Sequence, residues 1–448
     1  MKLNLDFRYN FKFILFVYIL SAIVGGYALA IVGGIGEDIR HHFELNSHQL
    51  SILLGLVFLG GILAKIIWLA TDRIGRRAMI IFFVAMYIFG TYLFVNSQSY
   101  DALIVARFIQ GSAILLCTYA FPVYMTEIAP PNKRGRYVAL FQLFWTSGMC
   151  LSGLAVFFFY KVLSWHEYLY VTVSFALILL FMACIIPASP TWLILRKKVH
   201  DAYLVIQKTQ PDLSDDEIKK HIDDIRVSLR DHKPRSFLQK VFIGKDIIPV
   251  LLVTSVLILN QITGINFIVF SSELILAPLV KNAQVAHIAN FFILAINFCA
   301  TILTIFYIDK WGRKKVIFTG LAVALISMLL LVVLYSLPVF EYSYIAVIVL
   351  LISCVAGLAF GPSGVVITLI NEILPNRVRI IGIFIAGTAS MLFAFFFIGY
   401  FLQIGEKYGF NIMFGIIFIG SFIYLMVVKK LVPETAGKTL EEIENEFD

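Results

Sequence analysis

The stretch LGLVFLGGILAKIIWLATDRIGRR, residues 54–77, decides how this chain folds. Apolar residues and glycines run on to the charged cluster Asp72–Arg77, with Lys65 as the one charge inside the run. A surface helix of a soluble protein keeps its apolar residues on one stripe, so a run without a polar face has to be buried all round or to face lipid. The same design returns at residues 296–314, INFCATILTIFYIDKWGRK, which closes with DKWGRK at Asp309–Lys314.

Working outward, apolar runs long enough to cross about 30 Å of hydrocarbon as helices lie near 11–36, 49–71, 78–96, 102–129, 136–160 and 167–187. A second set lies near 246–276, 284–308, 314–337, 342–373, 380–404 and 409–430. A helix satisfies its own backbone in lipid, so an all-α integral membrane protein of twelve transmembrane helices is expected. Composition agrees: only 14% of the 448 residues are charged, against roughly 25% in soluble domains, which excludes a soluble globular protein. The run from Phe11 is too long for a signal-peptide core and no small-residue cleavage site follows it, so it reads as the first span. Cys117, Cys150, Cys184, Cys299 and Cys354 all fall inside apolar runs without paired spacing, which leaves no disulfide framework and no zinc site.

Lys and Arg orient the bundle. They crowd the N-terminus, the connections after each even-numbered span and the tail, whereas the opposite side has only Arg40, Lys161, Lys281 and Lys407. Both termini and the central loop are therefore expected in the cytoplasm. The net charge of +8 becomes a topology signal, with anionic lipid as its partner and no nucleic acid. The charged segment 188–245, with Ile218, Ile222 and Ile225 at helical spacing, is too small for a catalytic domain and reads as short helices on the cytoplasmic ends of the bundle. Its limits divide the chain into an N-terminal half at 1–187, the linker, a C-terminal half at 246–432 and a tail at 433–448. The absence of any Asn-x-Ser/Thr sequon, with short outer loops, favours a bacterial inner membrane.

The two halves also match in detail. Besides DRIGRR and DKWGRK, Glu127-x-x-Pro130 followed by Arg134 corresponds to Glu372-x-x-Pro375 followed by Arg379, and Pro187-Ala-Ser-Pro corresponds to Pro433-Glu-Thr-Ala. Three matches in one order, each at a cytoplasmic helix end, argue for a duplicated six-span unit. Two such halves around a midplane site form a transporter architecture.

With RF-x-x-G at Arg107–Gly111, Pro122-x-Tyr124-x-x-Glu127, NQITGIN at Asn260–Asn266 and PETAGKTLEEI at Pro433–Ile443 added, the chain resembles the sugar porter family of the major facilitator superfamily from about Gly26 to Ile443. The resemblance implies the major facilitator fold and a monosaccharide or polyol moved by alternating access, with no catalysis and no cofactor, in a protein working as a monomer. A sugar hydroxyl is both donor and acceptor, so amides within spans suit its site. Gln142, Asn260, Gln261, Asn266 and Asn297 match the positions that bind sugar in the family. Buried amides can equally join helix to helix.

Asp72, Arg76, Glu127, Arg134, Asp309, Arg313, Glu372 and Arg379 match a charge set that in the family pairs within and across the halves and bias the rocking between two states; the bland reading is solvated loop ends. Gly55, Gly60, Gly61, Gly264, Gly361 and Gly364, with Pro362, allow close contact or bending of spans 2, 7 and 10. Lys65 is expected to snorkel toward the cytoplasm.

Several departures bear on mechanism. The family's proton symporters carry an Asp after the Gly-Tyr pair of span 1, and here Ala28 follows Gly26-Tyr27. Its absence argues for facilitated diffusion and leaves Arg107 without its usual counter-ion. Glu273 in span 7 is the alternative proton carrier; an ordinary vestibule residue in contact with water is the plainer reading. The Trp of span 10 and the Trp and Asn of span 11 are replaced by Ile367, Met391 and Ala394, and the Tyr pair after NQITGIN by Phe270-Ser271, so a preference other than glucose is expected. Rival readings are proton symport and a transport-defective sugar sensor. An enzyme needs a clustered catalytic set, and His41, His42 and His48 lack metal-ligand partners.

Overall fold

The computed structural model describes residues 6–130, 134–231, 247–276, 279–280, 283–337, 344–375, 378–438 and 442–443. Lys2, Lys133, Lys245, Lys281, Arg377 and the Thr439-Leu440-Glu441 part of the tail motif lie outside them. Within the described residues 12 helices are long and apolar enough to span a membrane. Spans 1 to 6 are Phe11–Gly34, Ser47–Trp68, Arg76–Val95, Tyr100–Ile128, Arg134–Phe159 and Trp165–Ile185. Spans 7 to 12 are Ile247–Leu276, Gln284–Trp311, Arg313–Ser336, Tyr344–Ile373, Arg379–Tyr408 and Phe410–Leu431. Large apolar side chains such as Phe82, Phe181, Phe306 and Ile419 remain exposed on the outside of the bundle, a surface suited to lipid and not to water.

The sequence duplication becomes a packing duplication. Span 1 packs on 5, 2 on 4, 3 on 4 and 3 on 6; correspondingly 7 packs on 11, 8 on 10, 9 on 10 and 9 on 12. The halves meet through spans 2 with 11 and 5 with 8, contacts that the same two-fold relation exchanges. At the end remote from DRIGRR the halves close together: Gly33 faces the Phe270 backbone, Gly153 faces Phe291, and the Phe157 and Phe291 rings stack at 5.8 Å. At the DRIGRR end every described ion pair between spans lies within one half.

Gly75 and Gly312, the glycines of DRIGRR and DKWGRK, stand at φ of +101° and +84° and turn the chain into spans 3 and 9. A Cβ on Gly75 would sit 2.8 Å from the Trp192 ring, and one on Gly312 would press on the Glu434 carboxylate at 3.0 Å. The left-handed conformation alone costs a side chain about 1–2 kcal/mol. Gly75→Ala is therefore expected to lower the thermal midpoint of the detergent-solubilised protein, whereas Gly135→Ala, with open space around it, leaves it unchanged.

Spans 7 and 10 are broken. Span 7 divides into Ile247–Ile262 and Ile265–Leu276 around Gly264 at φ +76°. Span 10 divides into Tyr344–Phe360 and Pro362–Ile373, because Pro362 has no N–H and its ring displaces the preceding turn. A carbonyl freed by this break, that of Phe360, accepts from the Thr304 hydroxyl at 2.8 Å, which is how broken helices are tolerated at membrane depth.

The linker region contains Pro190–Leu195, Val199–Thr209 and Asp215–Asp231, helices whose Leu193, Val205, Ile206, Ile218 and Ile222 form a small core of their own. Gln210 ties this unit to the bundle by donating to the Ile128 carbonyl at 2.8 Å. In the connection after span 1, Gly36–His42 is a short helix, with Arg40 paired to Glu37 at 3.3 Å.

Candidate functional site

The two helix breaks bring the polar groups together. Asn260 and Gln261 end the first helix of span 7, and Asn266 begins the second. Gln261 donates from Nε2 to Ser390 Oγ of span 11 at 3.0 Å and accepts at Oε1 from Asn266 Nδ2 at 2.7 Å. Asn260 Oδ1 accepts from Ser363 Oγ, just past the span 10 break, at 3.2 Å. Asn260 is buried while Gln261 and Asn266 are half-buried. Asn260 and Asn266 are thus each held by one neighbour and Gln261 by two, and all three keep further donor or acceptor capacity, the condition for binding a poly-hydroxyl ligand.

Two expected residues stand apart from this cluster. Gln142 is exposed on span 5 and Asn297 is buried on span 8. Among the described hydrogen bonds neither side chain joins Asn260, Gln261 or Asn266. Ser363 and Ser390 belong to the cluster and were not among the expected residues. Their only sequence signal is position, one directly after Pro362 and the other mid-span. Phe267 and Phe270, on the second helix of span 7, are buried in packing: Phe267 against Phe397 and Phe401, Phe270 against Phe58 of the other half.

The charge sets repeat each other's geometry. Arg76 meets Asp72 at 2.7 Å and Glu127 at 2.9 Å. Arg313 meets Asp309 at 3.1 Å and Glu372 at 2.8 Å. Arg134 and Arg379 each donate Nε to a helix-end carbonyl, Ala129 at 3.4 Å and Leu374 at 3.1 Å. Thr435 Oγ1 donates to Glu372 at 2.5 Å, as the Ser189 hydroxyl bonds Glu127 in the other half, and the C-terminal set adds Glu434, which accepts from the backbone N–H groups of Arg313 and Lys314, at 2.9 Å each. Burial works to raise the Glu434 pKa, but its backbone donors outweigh burial and hold the carboxylate below its ordinary range. This end of the tail therefore caps the start of span 9.

Two intramembrane cations behave differently from each other. Lys65 does not snorkel: it is buried, donates to the Phe384 carbonyl at 3.4 Å and lies 5.8 Å from the Phe384 ring, joining span 2 to span 11. Arg107 is buried and donates to Gln110 at 2.6 Å, which in turn donates to Thr91 at 3.0 Å; its Nε has no partner among the described residues. Ala28 lines a cavity of about 30 Å³ together with Tyr87, Phe83 and Ile114, so nothing at position 28 supplies a counter-charge. Glu273 is not a wet vestibule residue. It is 3% exposed and bonded to His287 at 3.0 Å.

A duplicated twelve-span bundle, with amides gathered at two broken helices and a charge set repeated in each half, defines a membrane solute carrier of the major facilitator fold. The chain belongs to the Sugar (and other) transporter family, whose model matches residues 14–447. It is 27% identical over 443 residues to the glucose transporter GlcP of Staphylococcus epidermidis, covering 96% of each chain. It is 26% identical over 446 residues to the galactose-proton symporter of Escherichia coli, covering 96% of this chain and 93% of that one. In fold it is similar to the xylose transporter XylE from E. coli in its inward-open conformation, with TM-score 0.82 and 22% identity over 98% of this chain and 100% of the other.

Proposed function

We propose that the protein carries a monosaccharide or related polyol across a bacterial inner membrane by alternating access, as facilitated diffusion. The observation that carries the reading is the Gln261-centred amide and hydroxyl cluster at the two helix breaks, in a chain of this family. Gln142 and Asn297, which stand apart from the cluster here, join the sugar when the halves tighten around it. The division into halves at 1–187 and 246–432, with the linker between, supplies the two bodies that rock.

The halves are closed at the end remote from the basic residues, and the Arg76 and Arg313 sets pair within their own halves. That arrangement fits a carrier open to the cytoplasm, with both termini on that side. In the opposite state the sets are expected to pair across the halves, with Arg134 and Arg379 leaving their carbonyls.

Ala28 supports the uncoupled mechanism, since a carrier driven by a proton gradient needs a carboxylate that is loaded and unloaded. The competing reading is proton symport, favoured by the galactose-proton symporter among the relatives. The test is uptake into liposomes with and without an inward proton gradient. Equilibration without accumulation is expected for the native chain. Ala28→Asp, placed in the cavity beside Tyr87, is expected to give gradient-driven accumulation; accumulation by the native chain would overturn the uncoupled reading.

A further inference from the structure

At the closed end of the bundle, Glu273 of span 7 lies where both halves meet. Its Oε1 is 3.0 Å from His287 Nδ1 and accepts from Asn290 Nδ2 at 3.3 Å; Ser272 Oγ donates to Asn290 Oδ1 at 3.0 Å. All four residues belong to the C-terminal half. The N-terminal half covers them. Gly34 of span 1 stands so close that a Cβ there would be 3.1 Å from Asn290 Nδ2 and 3.9 Å from Glu273 Oε1, and the ring of Tyr160, directly after span 5, lies 5.3 Å from the His287 ring. The short helix after span 1 brings the carboxylates of Glu37 and Asp38 to the same end, Glu37 being paired with Arg40 at 3.3 Å and 3.9 Å from His41, and span 6 brings the Tyr168 hydroxyl. Spans 2 and 11, also packed on this part of span 7, present Phe58, Phe397 and Phe401 to it.

The pair can hold one proton, as glutamate with imidazolium or as glutamic acid with neutral imidazole, and either form is neutral overall. Without that proton it carries a negative charge buried in a closed site. Burying an unbalanced charge is costly, whereas the same charge in an open, wet gate is not. The closed gate therefore binds a proton more tightly than the open one.

We propose that Glu273 and His287 form a proton-binding site of the outer gate, which closes with one proton on the pair and returns it to the same side on opening. The proposal rests on the carrier reading above and adds its regulation. Closing takes one proton from outside water, and opening releases one. The pair is still covered while the opposite end of the bundle is open, so the proton stays with the gate and is not handed to the cytoplasm. External pH thus sets the gate without driving accumulation. The sign follows from linkage: closure is favoured in acid and lost as pH rises, with the closed-to-open ratio changing by at most about tenfold per pH unit for one proton.

The test uses the full chain in lipid nanodiscs, with its five cysteines replaced and spin labels at Lys161→Cys and Lys407→Cys, exposed positions at the outer ends of spans 5 and 11. Distances between the labels are measured from about pH 5 to about pH 8, the range in which histidine changes charge. Acid is expected to enrich the short distance. Glu273→Gln, a neutral mimic of the loaded pair, is expected to keep the short distance at every pH. His287→Gln leaves Glu273 to take the proton alone and moves the response to more acid pH. Unchanged distances across the range, or a response that neither variant alters, would overturn the proposal; should Glu273→Gln fail to fold, an unshifted response in His287→Gln does so alone. No sugar is needed, so this failure would leave the transport reading standing, and a failure of sugar uptake would leave the distances as they are.

Discussion

Gln261→Ala is expected to raise the Kd for the transported sugar about 30-fold, or roughly 2 kcal/mol. The side chain joins three elements, since it holds Asn266 at 2.7 Å and Ser390 at 3.0 Å, and in the proposed function it also contacts the sugar. Its removal takes away a ligand contact and also leaves Asn266 without a fixed partner. The larger part of the loss comes from the second effect, because an amide free to rotate no longer presents its donor at a set place. Ser390→Ala removes one support and leaves Gln261 in place, and is expected to cost about 1 kcal/mol, or roughly fivefold in Kd. Isothermal titration with the transported sugar separates the two. Equal effects would mean that Gln261 acts through Ser390 alone.

Arg313→Ala is expected to lower the initial uptake rate about tenfold or more, with little change in sugar affinity. Arg313 is the hub of its half: it meets Glu372 at 2.8 Å and 3.1 Å and Asp309 at 3.1 Å, and its backbone N–H is held by Glu434. Its removal leaves the Glu372 carboxylate, 22% exposed, without a charged partner. Asp309 is 80% exposed, and exposed pairs contribute only about 0–1 kcal/mol. Asp309→Asn is accordingly expected to change the rate by less than about twofold in this half of the cycle. Uptake rate against sugar concentration checks both variants. A raised half-saturation concentration at unchanged maximal rate in Arg313→Ala would instead place Arg313 with the binding site.

The membrane class, the twelve spans and the duplication were legible because lipid demands long apolar runs and because DRIGRR and DKWGRK mark equivalent turns. That marking was literal: both motifs place a left-handed glycine before an arginine hub, and both hubs bind an aspartate and the glutamate of the fourth or tenth span. The helix breaks were announced by Gly264 and Pro362. What they assemble was less visible. Ser363 and Ser390 look like any serine in a span, where a hydroxyl can satisfy the carbonyl a turn earlier, and only the fold brings them to Asn260 and Gln261. Lys65 was misread for a related reason, since its length suits snorkelling but its neighbour is span 11. Glu273 stood out as an intramembrane acid, yet His287 and Asn290 lie across a connection on the next span, so no spacing rule joined them.

The most direct test of the central claim is uptake of radiolabelled D-glucose, D-galactose, D-xylose, L-arabinose and myo-inositol into liposomes holding the purified protein. The account predicts saturable uptake of at least one of them, abolished or strongly reduced by Gln261→Ala and levelling off when inside and outside concentrations are equal. No uptake of any of these compounds by folded protein, or uptake that Gln261→Ala leaves untouched, would contradict it.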